Sequence, residues 1–143
     1  MTVARVEVTG LKQLLRDARK VERDLPKEMR QQLVPISQFV LSRARQRAQS
    51  LGGVHAHAAR RGLRGGATQN TAWIKLAANT EPTILGAEFG GGARPTTRQF
   101  PPWRGSGGGA GYFVYPTIRG SVAPITDQLE DALMRFMRSA GFR

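Results

Sequence analysis

Six arginines lie near the middle of the chain, and the guanidinium group of arginine is suited to bind phosphate or carboxylate groups. They are Arg43, Arg45, Arg47, Arg60, Arg61 and Arg64. No aspartate or glutamate occurs between Glu28 and Glu81, and unopposed positive charge of this kind attracts polyanions or an acidic protein surface. The pattern predicts a surface that faces either DNA or an acidic partner. The alternative is that these arginines are solvated, with those at 43–47 offsetting the carbonyl end of a helix.

The residue types and spacings give little support to a metal site, a phosphate-binding loop or a catalytic centre. His55 and His57 are separated by one residue, but two histidines without cysteines or nearby carboxylates make a poor metal site. The glycine triplets at residues 90–92 and 107–109 are not followed by the Lys-Ser or Lys-Thr of a phosphate-binding loop. The carboxylates form no recognisable pair and no nucleophile stands beside a base. We therefore expect no enzyme activity, no metal, no cofactor and no small-molecule substrate.

A second group of candidate residues surrounds a loop at residues 90–111, which is rich in glycine, proline and arginine. Nine of the 26 residues from 86 to 111 are glycine, so ordering the segment costs roughly 1–2 kcal/mol of backbone entropy per residue. Contact with a partner can offset this cost, and long loops in compact domains are usually functional or disordered. Aromatic and arginine side chains are enriched at interface hot spots. The predicted subunit or partner interface consists of Glu88, Phe89, Arg94, Arg98, Phe100, Trp103, Arg104, Tyr112, Tyr115 and Arg119.

Two of these residues have competing interpretations. Glu88 is placed at a strand end beside the arginine-rich loop, where it either forms a salt bridge between subunits or is simply solvated. Trp103 is flanked by two prolines and an arginine, and it either anchors the loop on a partner or folds back on the core of its own chain.

The elements that must position these residues follow from hydrophobic periodicity. Alternation over residues 4–8 predicts a short strand that ends near Gly10, and helical spacing predicts a first helix over residues 11–23. Asp24 and Pro26 are typical of the start of a second helix. Pro35 predicts a kink or a short break in that helix. Its predicted apolar face contains Met29, Leu33, Ile36, Val40, Ala44 and Ala48.

The second half of the chain is predicted to contain a sheet and a closing helix. A short helical piece precedes a flexible connector at residues 65–70. Residues 71–76 and 83–89 are predicted to pair as an antiparallel hairpin, with residues 112–115 as a third strand. The last helix has acidic residues early and arginines late, which suits the helix macrodipole. Its apolar face consists of Ile125, Leu129, Ala132, Leu133, Phe136 and Ala140.

Composition indicates one domain over residues 1–143. With 40% apolar residues in 143, the chain can bury a modest core. It contains no cysteine and no apolar run of the roughly 18 residues that a membrane span needs, so we expect a soluble intracellular product. The predicted fold class is α+β: a small antiparallel sheet packed against two N-terminal helices and one C-terminal helix, with the long loop between strands.

The order of these elements resembles a known family. The opening Val6-Glu7-Val8-Thr9-Gly10-Leu11, the Glu88-Phe89-Gly90 triplet, the loop, Tyr115-Pro116-Thr117-Ile118-Arg119 and the closing helix are together similar to tail-completion or head-to-tail joining proteins of long-tailed bacteriophages. The glycine-rich spacer at residues 105–111 departs from the common family pattern.

The resemblance implies a structural virion protein without catalytic activity. Such a subunit is assembled in the host cytoplasm into a homo-oligomeric ring at the neck of the virion, where it contacts neighbouring connector proteins and the tail tube or tail terminator. Its basic surface would face either the genomic DNA in the lumen or an acidic connector. The alternative function is a nucleic-acid-binding protein that uses the arginine cluster at 43–64.

Overall fold

The sheet has three antiparallel strands, with β3 in the centre. The computed structural model describes residues 3–7, 25–91, 100–105 and 107–139, with side chains from residue 27 onward. The strands are β1 (Val3–Glu7), β2 (Leu63–Ala67) and β3 (Thr71–Leu76), in the order β1-β3-β2. The predicted first strand is therefore confirmed over residues 3–7, whereas the predicted helix at residues 11–23 lies outside the described residues.

The longest helix, α1 (Leu25–Leu51), packs against β2 and β3 and confirms the predicted second helix. It continues through Pro35 without a break. Pro35 is exposed, so its ring points away from the core while the helix is held by the apolar face on its other side. All six residues of the predicted face are buried: Met29, Leu33, Ile36, Val40, Ala44 and Ala48.

The partner of β3 differs from the sequence-based prediction. Residues 65–70 were expected to form a flexible connector, but residues 65–67 belong to β2 and pair with residues 72–74. The turn closes through the N–H of Thr68, which donates to the carbonyl of Thr71 at 2.8 Å. The alternation predicted for β3 is confirmed, because Ala72, Ile74 and Leu76 are buried and the residues between them are half-buried.

The predicted strands at residues 83–89 and 112–115 are wrong. The first segment forms α3 (Ile84–Phe89). It packs against the ten-residue helix α2 (Gly53–Gly62), from which β2 and β3 separate it in the chain. The second leads into α4 (Val114–Gly120). Ile84, Ala87 and Glu88 are buried together on α3 at the three- and four-residue spacing of a helix face. The long loop therefore joins two helices, α3 and α4, and not two strands.

The closing helix α5 (Val122–Ser139) packs across α1 and confirms the last predicted helix. Ile125, Ala132 and Phe136 are buried, and Leu129 and Leu133 pack partly against the core; residue 140 lies outside the described part. The architecture is α+β, with a small antiparallel sheet covered by α1 and further helices around it. Among the described helices, none combines the length and the apolar character that crossing a membrane requires.

The contact between α2 and α3 depends on a glycine, and it gives a first prediction. A Cβ at Gly62 would lie 2.7 Å from Cγ1 of the fully buried Ile84, so Gly62→Ala should lower the free energy of unfolding by about 1–3 kcal/mol through overpacking. Gly120→Ala is the matched control, because Gly120 also ends a helix but has no atom within 4 Å of the added carbon. It should be neutral or stabilising by about 0.4–1 kcal/mol.

Urea unfolding followed by circular dichroism measures both variants. Equal stability of Gly62→Ala and Gly120→Ala would contradict the close packing of α2 on α3.

Candidate functional site

A buried carboxylate connects α3 to the start of α4. The side chain of Glu88 is 0% exposed. Its Oε2 accepts hydrogen bonds from the N–H groups of Phe113 and Val114 at 3.2 and 2.8 Å, and its Oε1 accepts one from Tyr115 at 3.1 Å. The first N–H groups of a helix have no partner within the helix and carry a partial positive charge. Glu88, which lies 25 or more residues earlier in the chain, therefore supplies hydrogen-bond acceptors for the first N–H groups of α4.

The close approach of Glu88 requires glycine at position 111. Gly111 has φ +89°, a conformation that L side chains rarely adopt. A Cβ at this position would collide with Oε1 of Glu88 and would also lie 2.9 Å from Cβ of Tyr115. Gly111 is thus the point at which the chain turns tightly around the carboxylate before α4 begins.

The protonation of Glu88 reflects two opposed effects. Burial raises the pKa of its carboxyl above the ordinary value of 4.5, whereas the N–H groups of residues 112–115 favour the ionised form and oppose the rise. The pKa rise means that desolvation of the carboxylate is the larger effect.

Residues 100–105 return the loop to α3 and are held there by backbone hydrogen bonds. The N–H of Gly91 donates to the carbonyl of Pro101 at 2.8 Å, and the N–H of Arg104 donates to the carbonyl of Phe89 at 2.5 Å. The ring of Phe100 lies against Gly86 of α3. We call residues 100–105 the return segment. Its position is fixed by α3, so it is not a freely mobile part of the loop.

Trp103 of the return segment, Phe89 of α3 and Tyr115 of α4 form an aromatic surface that we call the aromatic platform. The ring of Phe89 lies 6.5 Å from Trp103 and 5.5 Å from Tyr115, centroid to centroid. Trp103 is nevertheless 57% exposed. The indole is neither buried in the core nor detached from the domain, since it is supported from one side and open to solvent on the other.

Tyr112 fastens the other end of the loop. Its hydroxyl donates to the carbonyl of Pro102 at 2.5 Å, and the guanidinium of Arg104 lies 4.3 Å from the centre of its ring. Arg104 also joins the two ends of the loop through its carbonyl, which accepts from the N–H of Gly111 at 2.7 Å. Arg119 of α4 donates to the carbonyl of Ala110 at 2.7 Å. These contacts tie the return segment to the residues that lead into α4.

Some of the predicted interface residues reach the surface, others are buried, and two lie outside the described residues. Phe89, Trp103, Arg104, Tyr115 and Arg119 reach the surface around the return segment, with Phe100 partly buried beneath it and Tyr112 buried. Arg94 and Arg98 lie outside the described residues. The placement of Glu88 at a strand end, free for a salt bridge between subunits or for solvation, is wrong, because its carboxylate is fully buried on α3 and bonded to α4.

His55 is a buried support of the same region. Its ring lies 4.9 Å from that of Tyr112, and Nδ1–H donates to the carbonyl of Ala87 at 2.8 Å. Burial lowers the pKa of His55, and the charge of Arg104 lowers it further, while the bond to Ala87 opposes the change. His55 is therefore neutral near pH 7. His57 is exposed on the same helix, and the described residues contain no group of three metal-binding side chains.

The six predicted arginines lie in two separate places. Arg43 and Arg47 of α1 reach the residues on either side of α4: Arg43 donates to the hydroxyl of Ser121, between α4 and α5, at 3.1 Å, and Arg47 donates to the carbonyl of Tyr112, before α4, at 3.0 Å. The guanidinium of Arg43 also lies 4.7 Å from the centre of the Phe39 ring. These two arginines tie α1 to the residues that flank α4, so the six arginines predicted to face DNA or an acidic partner are divided between two places.

The other four arginines surround an open cleft beside β2, which we call the arginine cleft. It has a volume of about 720 Å³ and runs between α1, the end of α2 and the edge of the sheet. Its lining includes Arg45, Arg60, Arg61, Arg64, Gln38 and Trp73. The cleft places on one surface arginines that are up to 19 positions apart in the sequence, with an aromatic side chain among them.

Sequence reasoning missed Trp73 and Gln38 as part of this cleft. Trp73 alternates with buried residues of β3, so the sequence pattern predicts that its side chain faces outward. A large aromatic side chain on the outer face of a strand is a signal of a binding surface. Its ring lies against Gly66 on the neighbouring strand, where a Cβ would meet Cζ2 at 2.6 Å. Gln38 gave no comparable signal, because only the packing of α1 along β2 brings it near the arginines.

Comparisons of the chain with family models, with curated proteins and with solved structures gave no significant match.

The raised pKa of Glu88 gives a prediction with a definite sign. Between pH 4.5 and the higher pKa of the folded state, the folded chain binds more protons than the unfolded chain, so the free energy of unfolding falls as pH rises. Glu88→Gln cannot titrate and lacks this contribution. The stability of the unsubstituted protein relative to Glu88→Gln should therefore decrease between pH 4 and pH 8.

Urea unfolding of both proteins at each pH measures the difference, and the titration of His55 cancels because both proteins contain it. A difference that grows with pH would contradict the prediction and would mean that the backbone N–H groups outweigh burial.

Proposed function

We propose that this chain is a structural subunit of the head-to-tail neck of a long-tailed bacteriophage, where it forms a ring that joins the DNA-filled head to the tail. The ordered sequence features that resemble tail-completion proteins support the role. The α+β fold is compatible with it, and the described residues provide an exposed aromatic surface and a basic cleft.

The observation that carries the proposal is the exposure of Trp103 on a fixed support. A tryptophan that is 57% exposed on a segment held by several hydrogen bonds needs little reordering when a partner covers it. Rigid, exposed aromatic side chains of this kind are typical hot spots of protein interfaces, where they contribute 2 kcal/mol or more, as an order of magnitude. The aromatic platform is thus suited to dock on a neighbouring subunit or on the adjacent ring.

A ring also needs two different contact surfaces on each subunit, because head-to-tail contacts close into cycles. The aromatic platform supplies one. Other exposed apolar residues are available on different elements: Leu51 at the end of α1 and Val122 at the start of α5. Surfaces on separate elements are what a heterologous contact requires.

A second candidate function is nucleic-acid binding as the main role of the chain. The arginine cleft favours it, since four cations converge there. The neck role accounts for both surfaces, however, because a neck subunit must contact protein neighbours and lies on the path of the genome.

The decisive test is electron microscopy of particles made by the phage when an early stop codon interrupts this gene. Separate DNA-filled heads and tails are expected if the protein joins the two. Tails of uncontrolled length would place it at the tail end of the neck, as a terminator. Intact, infectious virions would overturn the neck role.

The aromatic platform is tested by complementing the stop-codon phage with plasmid-encoded variants. Trp103→Ala should reduce the plating efficiency by tenfold or more, because the exposed indole contributes to the partner contact and little to folding. Met134→Ala is the control, since Met134 is similarly exposed at 52% but lies on α5. Thermal unfolding of both purified variants should match that of the unsubstituted protein.

Full complementation by Trp103→Ala would show that the aromatic platform is not the docking surface. It would leave the outcome of the stop-codon experiment unaffected.

A further inference from the structure

We propose that the arginine cleft binds the phosphate backbone of nucleic acid without sequence specificity. The inference goes beyond the neck role and stands on the geometry of the cleft, although that role would bring the cleft close to DNA. The site is narrower than the predicted six-arginine surface, because it excludes Arg43 and Arg47 and includes Trp73.

The residues that line the cleft include four arginines and no carboxylate. All of them lie in the stretch between residues 28 and 81 that contains no aspartate or glutamate. Glu81 follows the cleft residue Thr80, and its carboxylate accepts a hydrogen bond from the Thr83 hydroxyl at 2.6 Å. This bond lowers the pKa of Glu81, and the nearby charges of His57 and Arg61 lower it further, so Glu81 opposes part of the charge of Arg61. A concave surface lined by one sign of charge raises the local concentration of an oppositely charged polymer.

The arginines differ in how much of their hydrogen-bonding capacity is already used. Arg45 donates to the Leu63 carbonyl and Arg64 to the Thr80 hydroxyl, both at 3.3 Å. These bonds hold the two side chains at the rim. Arg60 and Arg61 are exposed and donate no hydrogen bond to any described residue. Their planar forks are therefore open to receive phosphate oxygens in pairs.

The sheet edge beside the cleft disfavours an extended peptide as the occupant. β2 is an edge strand, and peptides commonly add to such edges through backbone hydrogen bonds. Here Arg30 and Arg45 of α1 donate to the carbonyls of Ala67 and Leu63, at the two ends of β2. Because the carbonyls at both ends of this edge already accept hydrogen bonds from arginines, strand addition is disfavoured. A ligand that uses side-chain cations, as a phosphate backbone does, is favoured instead.

Binding is tested with a fluorescently labelled random-sequence DNA duplex and the full chain, by fluorescence anisotropy over a range of salt concentrations. Arg60→Gln/Arg61→Gln should weaken binding by tenfold or more. It should also make the slope of log affinity against log salt less negative by roughly 0.9–1.8, the value for one or two lost phosphate contacts. The charge-matched control is Arg135→Gln/Arg138→Gln on α5, both exposed, and it should change affinity by less than about threefold.

Three outcomes would overturn the proposal. The first is that the duplex does not bind at low salt. The second is that the cleft and control variants weaken binding equally, which would mean that net charge alone is responsible. The third is that a poly-glutamate competitor of equal charge displaces the duplex as effectively as unlabelled DNA, which would make the cleft a site for acidic protein segments.

Trp73 provides a local signal for the same site. The chain has two tryptophans, so Trp103→Phe leaves Trp73 as the only one. In this background, duplex DNA should quench or shift the emission of Trp73, and the change should disappear when Arg60→Gln/Arg61→Gln is added. DNA binding without any change in Trp73 emission would place the nucleic acid elsewhere and overturn the assignment to the cleft.

Discussion

The described fold depends on one buried carboxylate. Glu88 lies near the end of a six-residue helix, and it accepts hydrogen bonds from three consecutive N–H groups at the start of α4. A buried donor without a partner costs about 1–3 kcal/mol, so without this side chain the start of α4 would be unstable where it lies. Because α4 is only seven residues long, its own hydrogen bonds cannot compensate. The position of α4, and with it the end of the long loop, is therefore set by a residue of α3.

This constraint explains how a loop rich in glycine presents a fixed surface. Gly111 lets the chain turn around the Glu88 carboxylate, and the following Tyr112 returns a hydrogen bond to Pro102. The two ends of the loop are consequently tied to each other and to α3 before residue 113 enters the helix. Trp103 rests on Phe89, the residue next to Glu88, so the same short helix that holds the carboxylate also supports the exposed indole. At Gly86 and Gly111 the lack of a side chain serves close packing and a tight turn.

Sequence periodicity predicted the elements whose burial pattern is long enough to be unambiguous. The seam of α1 from Met29 to Ala48 and the face of α5 repeat over several turns, and both are confirmed. Residues 83–89 are too short for this: apolar side chains at 84, 85, 87 and 89 are compatible with either a strand or a helix, and packing on Gly62 selects the helix. β2 contains two glycines among its five residues, so its strand character comes from pairing with β3 and not from local propensity.

For the site, the identities of the aromatic and arginine residues were predictable, but the burial of Glu88 and the separation of the arginines required the tertiary structure.

The separation of the arginines has a general cause. A chain with 22 basic and 10 acidic residues cannot pair each cation with a carboxylate, and on α1 the arginines instead donate to neutral oxygens. Arg30, Arg45 and Arg47 bond backbone carbonyls, and Arg43 bonds a hydroxyl. Such bonds position the guanidinium and satisfy carbonyls at an edge strand and a helix start, yet they leave the positive charge uncompensated. The structural use of arginine thus adds to the positive potential of the molecule. Where the backbone offers no carbonyl, as at Arg60 and Arg61, the same excess of charge remains available to an external anion.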